Sequence, residues 1–181
     1  MFKPLAMGIN NRLGVDAYVP ILTQNFELRI YGLDGQADTE FSEVLTLSTN
    51  DIGAISEEQD VITVHYANGV MKFPNKVSFA DVDWNLNCYA EPDTLTALRK
   101  WRAQVFNPAT EEMGVPTEYM RTGYLIRYDG KGNVKDVIKL PGIWPGAISN
   151  GEYNQEGGLV KVSVSLKVSK AIYLTREEFM Q

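Results

Sequence analysis

Period-two alternation dominates this chain. Over residues 77–89, Ala80, Val82, Trp84, Leu86 and Cys88 alternate with Asp81, Asp83, Asn85 and Asn87. That spacing puts one set on the buried face of a strand and the other in water. Over residues 159–174 the pattern is longer, with Val160, Val162, Val164, Leu166 and Val168 set against Lys161, Ser163, Ser165, Lys167 and Ser169. Residues 26–33, 40–47, 119–129 and 134–140 read as further strands, the first closed by Asp34-Gly35. Residues 61–73 read as a hairpin, because Asn68-Gly69 suits a type I′ turn, whose two central positions both need positive φ. That turn sets Tyr66 opposite Met71, Val64 opposite Phe73 and His65 opposite Lys72, which predicts a half-buried ribbon with one apolar face.

One segment carries the helical period. Leu95, Leu98, Trp101 and Val105 make a single apolar stripe and predict a helix over 93–107. Pro92 is tolerated in a first turn, Asp93 or Thr94 can cap the free amides, and Asn107-Pro108 stops the helix. Residues 48–60 hold Asp51, Glu57, Glu58 and Asp60 without periodicity and predict a loop. Residues 1–24 read as an arm, with turn formers from Gly8 to Gly14. Gly130-Lys131-Gly132-Asn133 is a hairpin turn, and Pro141-Gly142-Ile143-Trp144-Pro145-Gly146 a corner with Trp144 packed inward. The expected fold is mainly β, an antiparallel sandwich or barrel with one flanking α-helix, as one domain over 1–181.

Composition narrows the function more than the fold. A chain of 181 residues, 44% hydrophobic, buries a core without staples. One Cys excludes an intramolecular disulfide framework and a Cys-based zinc cluster. A net charge of −6 argues against a broad basic face gripping nucleic-acid phosphates. No run of about 18 apolar residues predicts a membrane helix, and residues 1–11 carry no signal-peptide pattern, so a reducing cytoplasm is the expected site of synthesis.

Candidate chemistry is thin. His65 is the only His, and its mid-strand place beside a turn suits an exposed residue better than a catalytic base. Cys88 falls in an apolar register and reads as a small buried hydrophobe. Asp81 and Asp83 share a strand face about 7 Å apart, a spacing open to glycoside chemistry but ordinary for two solvated charges. The Gly130–Asn133 turn lacks phosphate-loop spacing and a following helix. No catalytic, cofactor or metal residue is expected.

The order of these pieces resembles the tail tube proteins of contractile-tailed bacteriophages. The resemblance rests on Asp81-Val82-Asp83-Trp84 leading to a helix with Trp101 near its end, then Pro116-Thr117-Glu118-Tyr119, then the corner Leu140 to Pro145 containing Gly-Ile-Trp-Pro. Phe26-Glu27-Leu28-Arg29-Ile30 and the segment 75–79 fit as well. It covers residues 26–173; the arm, the tail at 175–181 and all but the position of 48–60 match nothing in the family. The resemblance implies hexameric rings stacked into a tube inside a sheath, with baseplate and tail terminator proteins at its ends. A tape measure protein and then genomic DNA occupy the lumen without specific binding. It implies a place in the virion, after assembly in the host cytoplasm. On this reading residues 48–60 make the contact between rings through Asp51, Glu57, Glu58 and Asp60, while Trp101, Trp144 and Pro145 are structural. Tubes of type VI secretion systems and contractile bacteriocins share the family pattern. A ligand-binding β-barrel and a carbohydrate-active enzyme using Asp81 and Asp83 are the readings from other classes.

Overall fold

The computed structural model describes residues 23–32, 42–91, 93–129, 131–151 and 157–179. Most of the arm, the Asp34-Gly35 turn and Gly130 lie outside the described residues. The fold is mainly β and antiparallel, as the alternation requires. Its body is a seven-stranded sheet. Strand β1 (Phe26–Gly32) begins it, and β2 (Thr49–Ile52) lies at the opposite edge. The ribbon β3 (Glu57–Tyr66) and β4 (Gly69–Phe79) forms a separate sheet. Strand β5 (Val82–Asn87) returns to the body, and β6 (Phe106–Asn107) and β7 (Glu112–Met113) make a small clip. Strands β8 (Arg121–Tyr128), β9 (Val134–Ile148), β10 (Lys161–Val168) and β11 (Ile172–Thr175) complete it. The order is β1-β8-β9-β10-β5-β2, with β11 also on β9.

Four helices accompany the sheet among the described residues: α1 (Ser42–Ser48), α2 (Thr94–Val105), α3 (Pro116–Tyr119) and α4 (Arg176–Phe179). Helix α2 is the expected flanking helix. Asp93 caps it, accepting from the Thr96 amide at 3.1 Å, and Leu98, Trp101 and Val105 are buried. It ends at Val105, two residues early, because Phe106 and Asn107 turn extended to pair with β7. Helix α1 replaces the strand expected at 40–47. Its short apolar run is ambiguous by period, and a helix lets Leu45 enter the core while Thr46 Oγ1 donates to the Leu28 carbonyl at 2.8 Å.

Three more expectations are corrected. Residues 48–60 are not a loop: they hold the end of α1, all of β2 and the start of β3. The strand expected at 77–89 is broken at Ala80 and Asp81, where the chain leaves the ribbon for the body; Val82, Trp84 and Leu86 do face the core. The strand expected at 159–174 divides into β10 and β11 because the two pair with different stretches of β9, at 143–148 and 136–139.

Strand β9 explains that division, and the corner too. Its first part pairs with β8 through Ile143, and from there it pairs with β10. Bulges at Gly142 and Gly146 accompany the change. Gly142 has φ +76°, which disfavours any side chain with a Cβ, and a Cβ at Gly146 would strike the Lys167 stem at 2.6 Å. The corner is therefore a bent strand. The Gly142 bulge also shifts the alternation by one residue. Ile143 becomes the fully buried side chain, and Trp144 is only half-buried, edge-on to Tyr119 at 5.9 Å between ring centres. The expected inward packing of Trp144 is thus overturned, while Pro145 is buried opposite Leu166.

One core takes Leu28, Ile30 and Leu140 from one part of the sheet, Trp84, Leu86 and Val164 from the other, and Leu98 and Trp101 from α2. Trp101 is fully buried, and its indole N–H donates to the Tyr119 carbonyl at 2.7 Å, tying α2 to α3. Trp101→Ala is expected to cost about 3–5 kcal/mol, enough to unfold or precipitate a marginal domain. Trp144→Ala loses a partly exposed ring and an aromatic pair worth about 0.5–1.5 kcal/mol. Urea unfolding should therefore show a folded Trp144→Ala protein well above Trp101→Ala; equal losses would contradict this burial pattern.

Candidate assembly surface

Among the described residues, the ribbon β3–β4 is the part that the fold leaves uncovered. Its pairing runs Ile62 to Phe73, Val64 to Met71 and Tyr66 to Gly69, with Ala67-Asn68 as the two-residue turn. Ala67 takes the positive φ, +48°. The expected register is therefore off by two: His65 pairs with Val70 and Thr63 with Lys72. A shift of two keeps every side chain on its face. Ile62, Val64, Tyr66, Met71 and Phe73 share one face, as the alternation predicts.

Burial is what the alternation misjudged. All of β3 is exposed, as is β4 up to Ser78, on both faces. Tyr66 is 73% exposed, Met71 54%, Ile62 48% and Phe73 46%. An isolated two-stranded ribbon is marginal in water, and an apolar patch this long marks an interaction site more often than a free surface.

The structure does not gather the four acidic residues singled out for assembly. Asp51 belongs to the body, in β2, where its carboxylate accepts from Asn50 Nδ2 and Asn85 Nδ2, each at 2.7 Å. Glu57 and Glu58 stand at the base of the ribbon, opposite Phe79 and Ser78. Asp60 lies within the irregularity between Gln59 and Val61. Asp81, in the break before β5, is paired with Lys167, and Asp83 is exposed on β5, so each is an ordinary charge at the surface. His65 is exposed. Cys88 is half-buried, and burial pushes its thiol up, away from reactivity.

The body carries two further features. A cleft of about 660 Å³ lies between the start of β1 and the segment 52–55, its apolar lining including Phe26, Ile52, Ile55, Leu125, Ile138 and Tyr173. On β1, Glu27 accepts from Arg29 Nε at 2.8 Å and Nη2 at 3.0 Å, and from Tyr128 Oη at 2.5 Å. The Arg29 hydrogen bond holds the Glu27 carboxyl below its ordinary range; partial burial opposes this and the Tyr128 hydroxyl adds to it. Burial, then Glu27, push the Tyr128 phenol up.

Comparison with solved structures places the fold. A chain of the anti-feeding prophage tube-terminating cap superposes with a TM-score of 0.67 at 12% identity, covering 87% of this chain and 93% of that one. A chain of the PVC sheath/tube terminator, from an extracellular contractile injection system, gives 0.66 at 9% identity, covering 87% and 99%. The SPP1 tail tube gives 0.57 at 13% identity, covering 90% and 86%. No family model matches the sequence, and no curated protein matches it significantly. The chain has the tail tube fold.

Four described carboxylates, Glu27, Asp93, Asp129 and Glu178, are held below their ordinary values by hydrogen bonds. A depressed folded pKa contributes stability above the unfolded value, about pH 4.3 for Glu, and loses it as pH falls through the folded value. Glu27→Gln should therefore lower the melting temperature at neutral pH and make its fall on acidification shallower than in the native chain. Parallel curves would show that the Arg29 contact contributes nothing.

Proposed function

We propose that this chain is a structural subunit of the inner tube of a contractile phage tail. Six copies close a ring, and rings stack into a conduit through which DNA leaves the virion. The sheath surrounds it, baseplate and terminator proteins meet its ends, and a tape measure protein fills the lumen before DNA does. The subunit assembles in the host cytoplasm as one domain and performs no catalysis. The observation that carries this reading is the ribbon, an apolar two-stranded sheet projecting uncovered from a tail tube fold. Such a surface is stable in water once other copies cover it. The net charge of −6 supports passage without adhesion, since a ring of such subunits repels phosphate.

The proposed ring-to-ring contact moves accordingly. Glu57, Glu58 and Asp60 are suited to it as the charged base of the ribbon, and Asp51 lies apart from them on β2. A second reading, a ring that terminates the tube, is favoured by the TM-scores of 0.67 and 0.66 to cap and terminator assemblies.

Negative-stain microscopy of the purified protein tests both. The tube reading predicts rings and long tubes, the terminator reading rings alone, and a monomer at every concentration contradicts both. Gln59 and Val77 are paired, so an Asn-Gly turn can replace residues 60–76. The shortened chain should keep a β-rich circular dichroism spectrum and form no tubes; long tubes from it would show that the ribbon is dispensable.

A further inference from the structure

The turn of the ribbon and the residues in it disagree. Ala67 sits at φ +48°, which disfavours a side chain with a Cβ. Gly69 takes no positive φ, and a Cβ there would meet only the Tyr66 carbonyl, at an ordinary 3.6 Å. The Asn68-Gly69 pair, which suits a type I′ turn, thus stands one residue beyond the turn that closes the ribbon. We propose that the ribbon is a two-register element: besides the register closed by Ala67-Asn68, it occupies one closed by Asn68-Gly69, in which β4 has slipped two residues along β3. The slip is a property of the single chain, separate from the tube reading.

Burial does not pin the register, because β3 and β4 are exposed on both faces as far as Ser78. A slip of two keeps Ile62, Val64, Tyr66, Met71 and Phe73 on their shared face. The base of the ribbon already carries the irregularity that absorbs it. Between the pairs Gln59–Val77 and Val61–Pro74, Asn75 and Lys76 on β4 oppose Asp60 alone on β3. Moving the bulge to Asp60, so that Val61 faces Lys76, shifts everything beyond by two and leaves Glu57, Glu58 and Gln59 paired as they are. The registers also trade one local preference for another. A two-residue turn closes on a hydrogen-bonded pair, and such pairs alternate with non-hydrogen-bonded ones along the ladder. Counted from Tyr66–Gly69, Pro74 opposite Val61 falls in a non-hydrogen-bonded pair, where its missing N–H is not needed. In the slipped register Pro74 faces Thr63 in a hydrogen-bonded pair, and one ladder bond is lost. In exchange Ala67 leaves its positive φ, and Tyr66 faces the Met71 thioether in place of Gly69. Losses and gains of similar size leave both registers populated. The apolar face then has two arrangements of the same side chains, and whatever covers one of them better shifts the ribbon to it.

The test uses pairs of cysteines in the full chain, equilibrated in dilute solution in a glutathione buffer, with disulfides inside one chain mapped by mass spectrometry. Directly opposed residues can be bridged, while diagonal neighbours stand about 7–8 Å apart, beyond the reach of a disulfide. Thr63→Cys with Lys72→Cys reports the observed register, in which these residues are paired. Val64→Cys with Phe73→Cys reports the slipped one. Thr63→Cys with Val70→Cys is diagonal in the observed register and opposed only after a slip the other way, so it reports general mobility. These positions are all exposed, and the melting temperature of the body should not change. The proposal expects effective thiol concentrations for the first two pairs within about tenfold of each other, and the third about a hundredfold below them. Pro74→Ala, which restores the ladder N–H, should raise the ratio of the Val64–Phe73 to the Thr63–Lys72 value about fivefold, the weight of one hydrogen bond. Gly69→Ala, which penalises the type I′ turn, should lower that ratio by about as much. A Val64–Phe73 disulfide no stronger than the Thr63–Val70 one, or a ratio that neither substitution moves, overturns the second register.

Discussion

Strand β9 has to pair with three strands, and that requirement shapes the rest of the molecule. Along one edge it runs beside β8; along the other it meets β11 first and β10 afterwards. A straight strand of 15 residues could not hold these partners around one core. The Gly142 and Gly146 bulges bend it, and Ser169 Oγ, donating to the Gly142 carbonyl at 2.8 Å, fixes the chain between β10 and β11 to the bend. The two parts of the sheet then enclose Trp84, Leu140 and Leu166 in one core, with α1 and α2 adding Leu45, Leu98 and Trp101. That core is filled without the ribbon, which is left outside it.

The legible parts of the fold were those set by side-chain period in the core. Val162, Val164 and Leu166 alternate and are buried, and Leu98, Trp101 and Val105 sit on one helical face as their spacing demands. Period cannot report where a strand changes partner, so β10 and β11 read as one strand and β4 and β5 as another. Nor can it report a bulge, which is why Ile143 and not Trp144 fills the core. The glycines at 142 and 146 were the available signal, since a Gly inside a strand often marks a bulge.

The assembly surface was legible in pattern and illegible in burial. Alternation placed Ile62, Val64, Tyr66, Met71 and Phe73 together, but an apolar face reads the same whether its own chain or a neighbour covers it. The acidic residues drew attention to the segment before the ribbon because charge is conspicuous in sequence. In three dimensions they divide between β2 and the base of β3, and the uncovered apolar area lies beyond them.

The central claim is that the body folds by itself and the ribbon is completed by other copies. Hydrogen exchange measured on free subunits and on assembled particles tests this most directly. The account predicts that amides of β5, β9 and β10 are slow in both states, while those of residues 57–79 exchange fast in the free subunit and become protected on assembly. Equal protection of the ribbon in both states, or assembly that protects only other segments, would contradict it.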